Sequence, residues 1–169
     1  PYALTATAGS LTVTFTATAE AGPAATVAKT AGDNQNAIAG TAVATAPRVR
    51  VTDANGNPKA NATVTFTVAS GGGSVTGGTQ TTDANGVVTA GAWTLGATVG
   101  ANTLTASTGS VSATFTATGT VGPAAIIAIQ SGDAQSATVN TAVAAPVSVL
   151  VTDVNHNPVP GVSVTFAVA

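Results

Sequence analysis

The sequence predicts an all-β fold, a series of β-sandwiches with about seven strands for every 100 residues, and three observations carry that prediction. Apolar and hydroxyl-bearing side chains alternate along several short runs, as in Val64-Thr65-Phe66-Thr67-Val68 and Val13-Thr14-Phe15-Thr16-Ala17. Alternation of period two marks a strand with one face in a core and the other in water. Turn residues such as Asp53-Ala54-Asn55-Gly56-Asn57-Pro58 interrupt these runs at short intervals. Finally, the chain repeats itself with a period of 100 residues: residues 1–69 lie on 101–169 without a gap and are identical at 35 of 69 positions. A fixed period is the signature of a repeated structural unit.

The strands are expected near 24–30, 45–52, 61–69, 74–82, 86–95, 101–107 and 111–118. Asn-Gly supplies the positive φ of tight hairpin turns, and Pro ends a ladder by removing a donor. No segment shows a capped 3.6-residue pattern, so no helix is expected. Seven short strands in one period, with turns every ~8–12 residues, is the pattern of an Ig-like sandwich. The predicted organisation is residues 1–21 as the last two strands of a preceding repeat, 22–121 as a complete sandwich, and 122–169 as the first three strands of a following one. Because the chain starts and stops in mid-repeat, it reads as a window onto a longer tandem array. The joints, Ala19-Glu20-Ala21-Gly22-Pro23 and Gly119-Thr120-Val121-Gly122-Pro123, are short and contain Pro. They predict a semi-stiff rod gaining roughly 35–45 Å per repeat.

Composition narrows the function. Charged residues are 6% of the chain, against roughly 25% in ordinary soluble domains. Abundant β-branched residues nevertheless argue for folding rather than disorder. The surface is therefore wetted by hydroxyls and amides. The four basic residues, Lys29, Arg48, Arg50 and Lys59, face six acids, which gives nucleic acid no basic face to bind. No apolar run approaches the ~18 residues of a membrane-spanning helix. With neither Cys nor Met, the chain has no disulfide framework and no thiol nucleophile. This composition fits an oxidising, exposed setting.

The ordered series Val49-Arg50-Val51-Thr52-Asp53-Ala54-Asn55-Gly56-Asn57-Pro58, Val64-Thr65-Phe66, Thr82-Asp83-Ala84-Asn85-Gly86-Val87, and Ala101-Asn102-Thr103-Leu104-Thr105-Ala106 followed by Phe115 resembles the bacterial Ig-like repeat of the intimin/invasin type (group 1). The resemblance covers the whole period. It implies a seven-stranded sandwich used in tandem in surface-exposed bacterial proteins, where it spaces and displays something else. It brings no catalytic residues and no cofactor, and nothing here resembles the lectin-like tip of such adhesins.

Asp53, Asn55 and Asn57 begin like a calcium loop of the form D-x-N-x-N, but such a loop needs Gly at its sixth position and a bidentate acid at its twelfth. Those places hold Pro58 and Val64, and the repeat Asp153-Val154-Asn155-His156-Asn157-Pro158 departs in the same way. A turn in which Asp caps backbone amides is expected, with no resident metal; an ion bridging neighbouring repeats through Asp33 or Asp133 is the alternative. His156 is the only histidine and lacks partners at ligand spacing. The many hydroxyls lack an adjacent base and orienting acid, so no catalytic residue is expected. Trp93, Leu95, Phe66, Phe115, Leu104 and Val64 are assigned to the core. Arg48 and Arg50 point outward, and Leu150 takes the place of Arg50 in the next repeat. Asn61-Ala62-Thr63 matches an N-glycosylation acceptor, and the threonine faces suit surface glycans.

Three functions follow as expectations: a structural spacer in a bacterial extracellular fibre or adhesin stalk, a self-assembling filament subunit whose incomplete ends are completed by strands of identical chains, and a carbohydrate-binding module. The last wants an aromatic platform, and aromatics are 4% of the chain. Expected partners are neighbouring repeats of the same or identical chains, outside the cell.

Overall fold

A computed structural model describes residues 2–168 and contains strands and turns but no helix. Its strands are β1 (Tyr2–Ala8), β2 (Leu11–Ala17), β3 (Thr26–Ala31), β4 (Gln35–Ile38), β5 (Arg48–Thr52), β6 (Thr63–Ser70), β7 (Gly73–Val75), β8 (Thr79–Thr81), β9 (Val87–Thr89), β10 (Trp93–Leu95), β11 (Gly100–Thr108), β12 (Val111–Thr120), β13 (Ile126–Ser131) and β14 (Ser148–Thr152).

Two layers enclose the core. One is a three-stranded sheet in the order β3-β5-β9, and the other a five-stranded sheet in the order β4-β12-β11-β6-β8, with a short β10-β7 pair beside them. Alternation decides what meets between the layers. Val27, Val49, Val51 and Val88 come from the first sheet, and Val64, Phe66, Leu104, Ala106, Phe115 and Ala117 from the second. Trp93 and Leu95 of β10 join the same cluster and are buried. The intervening threonines of β6 and β12 face outward and are exposed. The fold is all-β and the core is that of a sandwich.

The structure refines the predicted strands at three places. A four-residue strand, β4, was not expected; it pairs in parallel with β12, Ala117 opposite Gln35 and Thr120 opposite Ile38. The expected strand 74–82 is two strands, β7 and β8, because the chain turns at Gly77 with φ of 59°. The expected strand 86–95 is also two, β9 and β10, separated by a segment in which the amides of Gly91 and Ala92 donate to Thr76.

The period is visible in the pairing. In the β1–β2 hairpin Leu4 lies opposite Phe15, and in β11–β12 Leu104 lies opposite Phe115. Likewise Val27 opposite Val51 in β3–β5 becomes Ile127 opposite Val151 in β13–β14. Of the three strands expected in 122–169, two form. Residues 163–168 repeat the apolar alternation of β6 but have no ladder partner among the described residues.

Candidate functional site: the asparagine turns and the joint

Three turns of the chain share one local design. An Asp side chain accepts from the amides two and four residues ahead, which pre-forms the turn without help from the rest of the protein. Asp53 Oδ1 accepts from Asn55 N and Asn57 N, both at 2.9 Å. Asp153 Oδ1 does the same with Asn155 N and Asn157 N, both at 2.9 Å. Asp83 Oδ1 accepts from Asn85 N and Val87 N at 2.8 Å each.

The first and second of these turns carry additional bonds that the third lacks. The second carboxylate oxygen of Asp53 accepts from the Gly22 amide at 2.9 Å and from Asn57 Nδ2 at 3.0 Å. In Asp153 the same oxygen accepts from Gly122 N and Asn157 Nδ2, both at 3.0 Å. Each carboxylate thus ties its turn to the Gly-Pro joint that opens the repeat. These bonds favour the ionised form. The Asn57 side chain, then the Gly22 amide, hold the Asp53 carboxyl down at about 2, against a burial effect that acts upward. For Asp153 burial is the largest influence and acts upward, yet the Gly122 amide, the Asn157 side chain and the turn amides outweigh it and bring the group to about 2.

The two turns differ in what lies beyond them. The Asp153 turn is seated against the end of the sandwich that precedes it. Asn155 Nδ2 donates to the Ala39 carbonyl at 2.8 Å, Asn157 Nδ2 donates to the Ala97 carbonyl at 2.9 Å, and the Val99 amide donates to Asn157 Oδ1 at 3.1 Å. Asn157 is buried there, at 5% exposure. Asn155 is half-buried, whereas Asn55 and Asn57 are exposed. The fit is close. Gly40 has a φ of 81°, and a Cβ on it would lie 2.9 Å from Asn155 Nδ2; one on Gly122 would lie 3.2 Å from Ile38 Cγ2. The Asn140 that replaces Gly40 one period later also has positive φ, 65°.

The other candidates fall elsewhere. Asp33 accepts from Lys29 Nζ and, at 2.9 Å, from Thr116 N. Burial raises its pKa, but the Lys29 and Thr116 hydrogen bonds overcome that and set it below the ordinary value. The structure therefore gives Asp33 a structural task at the β12 edge. Asp133 is exposed. His156 is exposed and sits at the tip of its turn with φ of 64°, where Gly56 has 82°. Asn61, at a φ of 56°, and Thr63 of the glycosylation acceptor are both exposed. Arg48 and Arg50 point outward, and Leu150 is 39% exposed. The indole Nε1 of buried Trp93 has no hydrogen-bond partner among the described residues, and the side chain packs in the core cluster. Sequence reading missed Ala39, Ala97 and Val99, because they contribute backbone atoms. The available signal was that Asp, both Asn and Pro recur at a spacing of 100 while the residues between them change.

No family model and no curated protein matches the chain. Among solved structures it is similar to domains 4–9 of the surface layer protein SbsC, at 20% identity and a TM-score of 0.47, over 92% of this chain and 24% of that one. It is similar to domains 1–6 of the same protein at 21% identity and a TM-score of 0.46, over 89% of this chain and 19% of that one. The D00–D0 domain of intimin gives 19% identity and a TM-score of 0.43, over 63% of this chain and 52% of that one. The chain thus spans about a quarter or less of the SbsC structures and about half of the intimin one.

Proposed function

We propose that the chain is a structural spacer, part of the stalk of a bacterial extracellular fibre or surface adhesin. On this reading residues 1–21 are the last two strands of one sandwich, 22–121 a complete one and 122–169 the start of the next. The observation that carries it is the joint. A spacer must pass direction from one repeat to the next, and three hydrogen bonds from Asn155 and Asn157 hold the end of one sandwich against the turn of its successor. A polar joint of this kind orients without requiring a large apolar interface. A hydroxyl-rich surface, on a chain with 6% charged residues and no thiol or thioether, suits exposure outside the cell. The role is non-catalytic: the lone His156 stands on an exposed turn, and the acids nearest to order, Asp53 and Asp153, are spent on backbone amides.

The test is length. Proteins carrying one, two and four extra copies of residues 22–121 between Val121 and Gly122 are expected to lengthen by roughly 35–45 Å per copy in small-angle scattering. A maximum dimension that stops rising with copy number overturns the spacer.

A second reading, the self-assembling filament, is favoured by one observation. The β1–β2 hairpin presents Leu4 and Phe15 at 71% and 59% exposure, where Leu104 and Phe115 are fully buried. In the complete sandwich β11 pairs with β6 so that Leu104 meets Val68 and Ala106 meets Phe66. A hairpin from another copy would by the same register set Leu4 beside Val168 and Ala6 beside Phe166. Concentration-dependent growth in sedimentation, abolished by Leu4→Asp, supports that reading; a single species at all concentrations removes it.

A further inference from the structure

The Asp53 turn has everything the Asp153 turn has except something to dock on. The bonds from its backbone amides to Asp Oδ1 match in partner and length, and its tie to Gly22 parallels the tie to Gly122. Yet the Asn55 side chain makes no hydrogen bond among the described residues, and the side chain of Asn57 bonds only to its own turn. Two exposed primary amides, that of Asn57 held by Asp53 and that of Asn55 without a partner among the described residues, thus stand on a turn whose backbone the Asp already secures. We propose that Asn55 and Asn57 form a docking surface for the end of another sandwich of this same type, one presenting the backbone arrangement of Ala39, Ala97 and Val99.

The occupant is specified by the copy of the interaction that the chain already contains. The partner must offer two outward carbonyls, for Asn55 and Asn57 Nδ2, and one amide, for Asn57 Oδ1. It also needs room for the first asparagine where Gly40 stands, because a Cβ there would lie 2.9 Å from Asn155 Nδ2 and make that side chain shift. That requirement separates an end of the Gly40 kind from one of the Asn140 kind. The D-x-N-x-N-P motif is then a polarised latch, offered by the front of one repeat to the rear of another, rather than a cation loop. The inference rests on the spacer reading only for the identity of the partner.

The experiment transplants the Asp53 turn onto the joint of the full chain. The quadruple variant V121A/V154A/H156G/V159K makes the residues of the Asp153 turn and its flanks those of the Asp53 turn, Lys59 included. The readout is hydrogen exchange at the Val99 amide, whose acceptor is Asn157 Oδ1. The transplant is expected to keep Val99 as protected as in the unaltered chain. N157A and, separately, G40A in the unaltered chain are expected to speed its exchange about tenfold. Loss of Val99 protection in the transplant, or no change in N157A, overturns the proposal. Exchange at Leu104 and Phe115 reports whether each variant still folds. In the unaltered chain, saturable shifts of the Asn55 and Asn57 side-chain amides on addition of calcium chloride would assign the turn to a cation and likewise overturn it. Scattering from the lengthened proteins is independent of both, so the latch can fail while the spacer stands.

Discussion

The hairpins β1–β2 and β11–β12 share the runs Leu-Thr-Ala and Thr-Phe-Thr-Ala in the same register, yet one is bare and the other is the centre of a core. Leu4 faces Phe15 as Leu104 faces Phe115. Exposure is 71% and 59% in the first pair and nil in the second. The difference comes from the company that each hairpin keeps: β11 has β6 at its side and β12 has β4, with β3 and β5 across the layer. Local sequence is enough to specify a hairpin and its inward face, but burial is supplied by strands far away in the chain.

The largest expected effect tests this contrast. Phe115→Ala removes a fully buried ring and should cost about 3–5 kcal/mol in the unfolding of 22–121. Phe15→Ala, at an exposed position, should stay within about 0.5 kcal/mol. Denaturant melts followed by Trp93 fluorescence measure both, since Trp93 lies in the affected core. Comparable losses in the two variants would mean that the first hairpin is covered in solution.

That contrast also shows what could be read from the residues. Strict alternation revealed β2, β5, β6 and β12, because in each an apolar residue alternates with a hydroxyl-bearing or charged one, whether or not the apolar face is covered. It could not reveal β4, whose four residues are held by backbone pairing to β12 and by a clasp around Gln35. The Gln35 side chain donates to the Gly32 and Thr45 carbonyls and accepts from the Thr45 amide. Gln135 repeats that clasp with Gly132 and Ala145, but residues 136–139 form no ladder among the described residues. The clasp is therefore local, while the strand needs β12. The joint was half legible for a similar reason. The Asp turns announce themselves in sequence, but the carbonyls of Ala39 and Ala97 do not.

The next effect compares the two Asp turns under acid. A carboxylate brought from 3.8 to about 2 in the folded protein contributes stability that is complete above pH 4 and is lost as the pH falls toward 2. Both turns should therefore loosen from their Gly-Pro joints in this window. Asp153→Asn should remove the pH dependence at Gly122, and Asp53→Asn that at Gly22. Amide exchange at the two glycines, followed between pH 5 and 2, measures each joint by itself. Joints that stay equally protected down to pH 2 would show that the carboxylates are not what anchors them.

A smaller difference is expected between the two second asparagines. Asn157→Ala leaves the Ala97 carbonyl and the Val99 amide without their partner and should cost about 1–3 kcal/mol in the ordering of residues 122–168. Asn57→Ala removes a side chain whose only bond is to Asp53 and should cost under about 1 kcal/mol. Limited proteolysis within 122–168 reads the first, and thermal melting of the core the second. Equal effects would mean that the Asp153 turn owes its order to its own bonds rather than to its seat.

The smallest effect concerns Lys29, the residue that most distinguishes β3 from β13, where Ile129 replaces it. Lys29 Nζ pairs with Asp33, donates to the Thr114 carbonyl at 2.9 Å and lies 5.9 Å from the centre of the Phe115 ring. It thereby pins the edge of β12 to β3 across the layer. Its side chain is more than a third exposed, so water and salt screen the pair, and such pairs contribute about 0.2–1 kcal/mol. Lys29→Ile imports the β13 residue and should destabilise 22–121 by no more than that. The deficit should shrink between low and 1 M salt, where the Debye length is roughly 3 Å. A salt-independent loss well above 1 kcal/mol would place the contribution of Lys29 in the packing of its methylenes over Phe115 rather than in its charge.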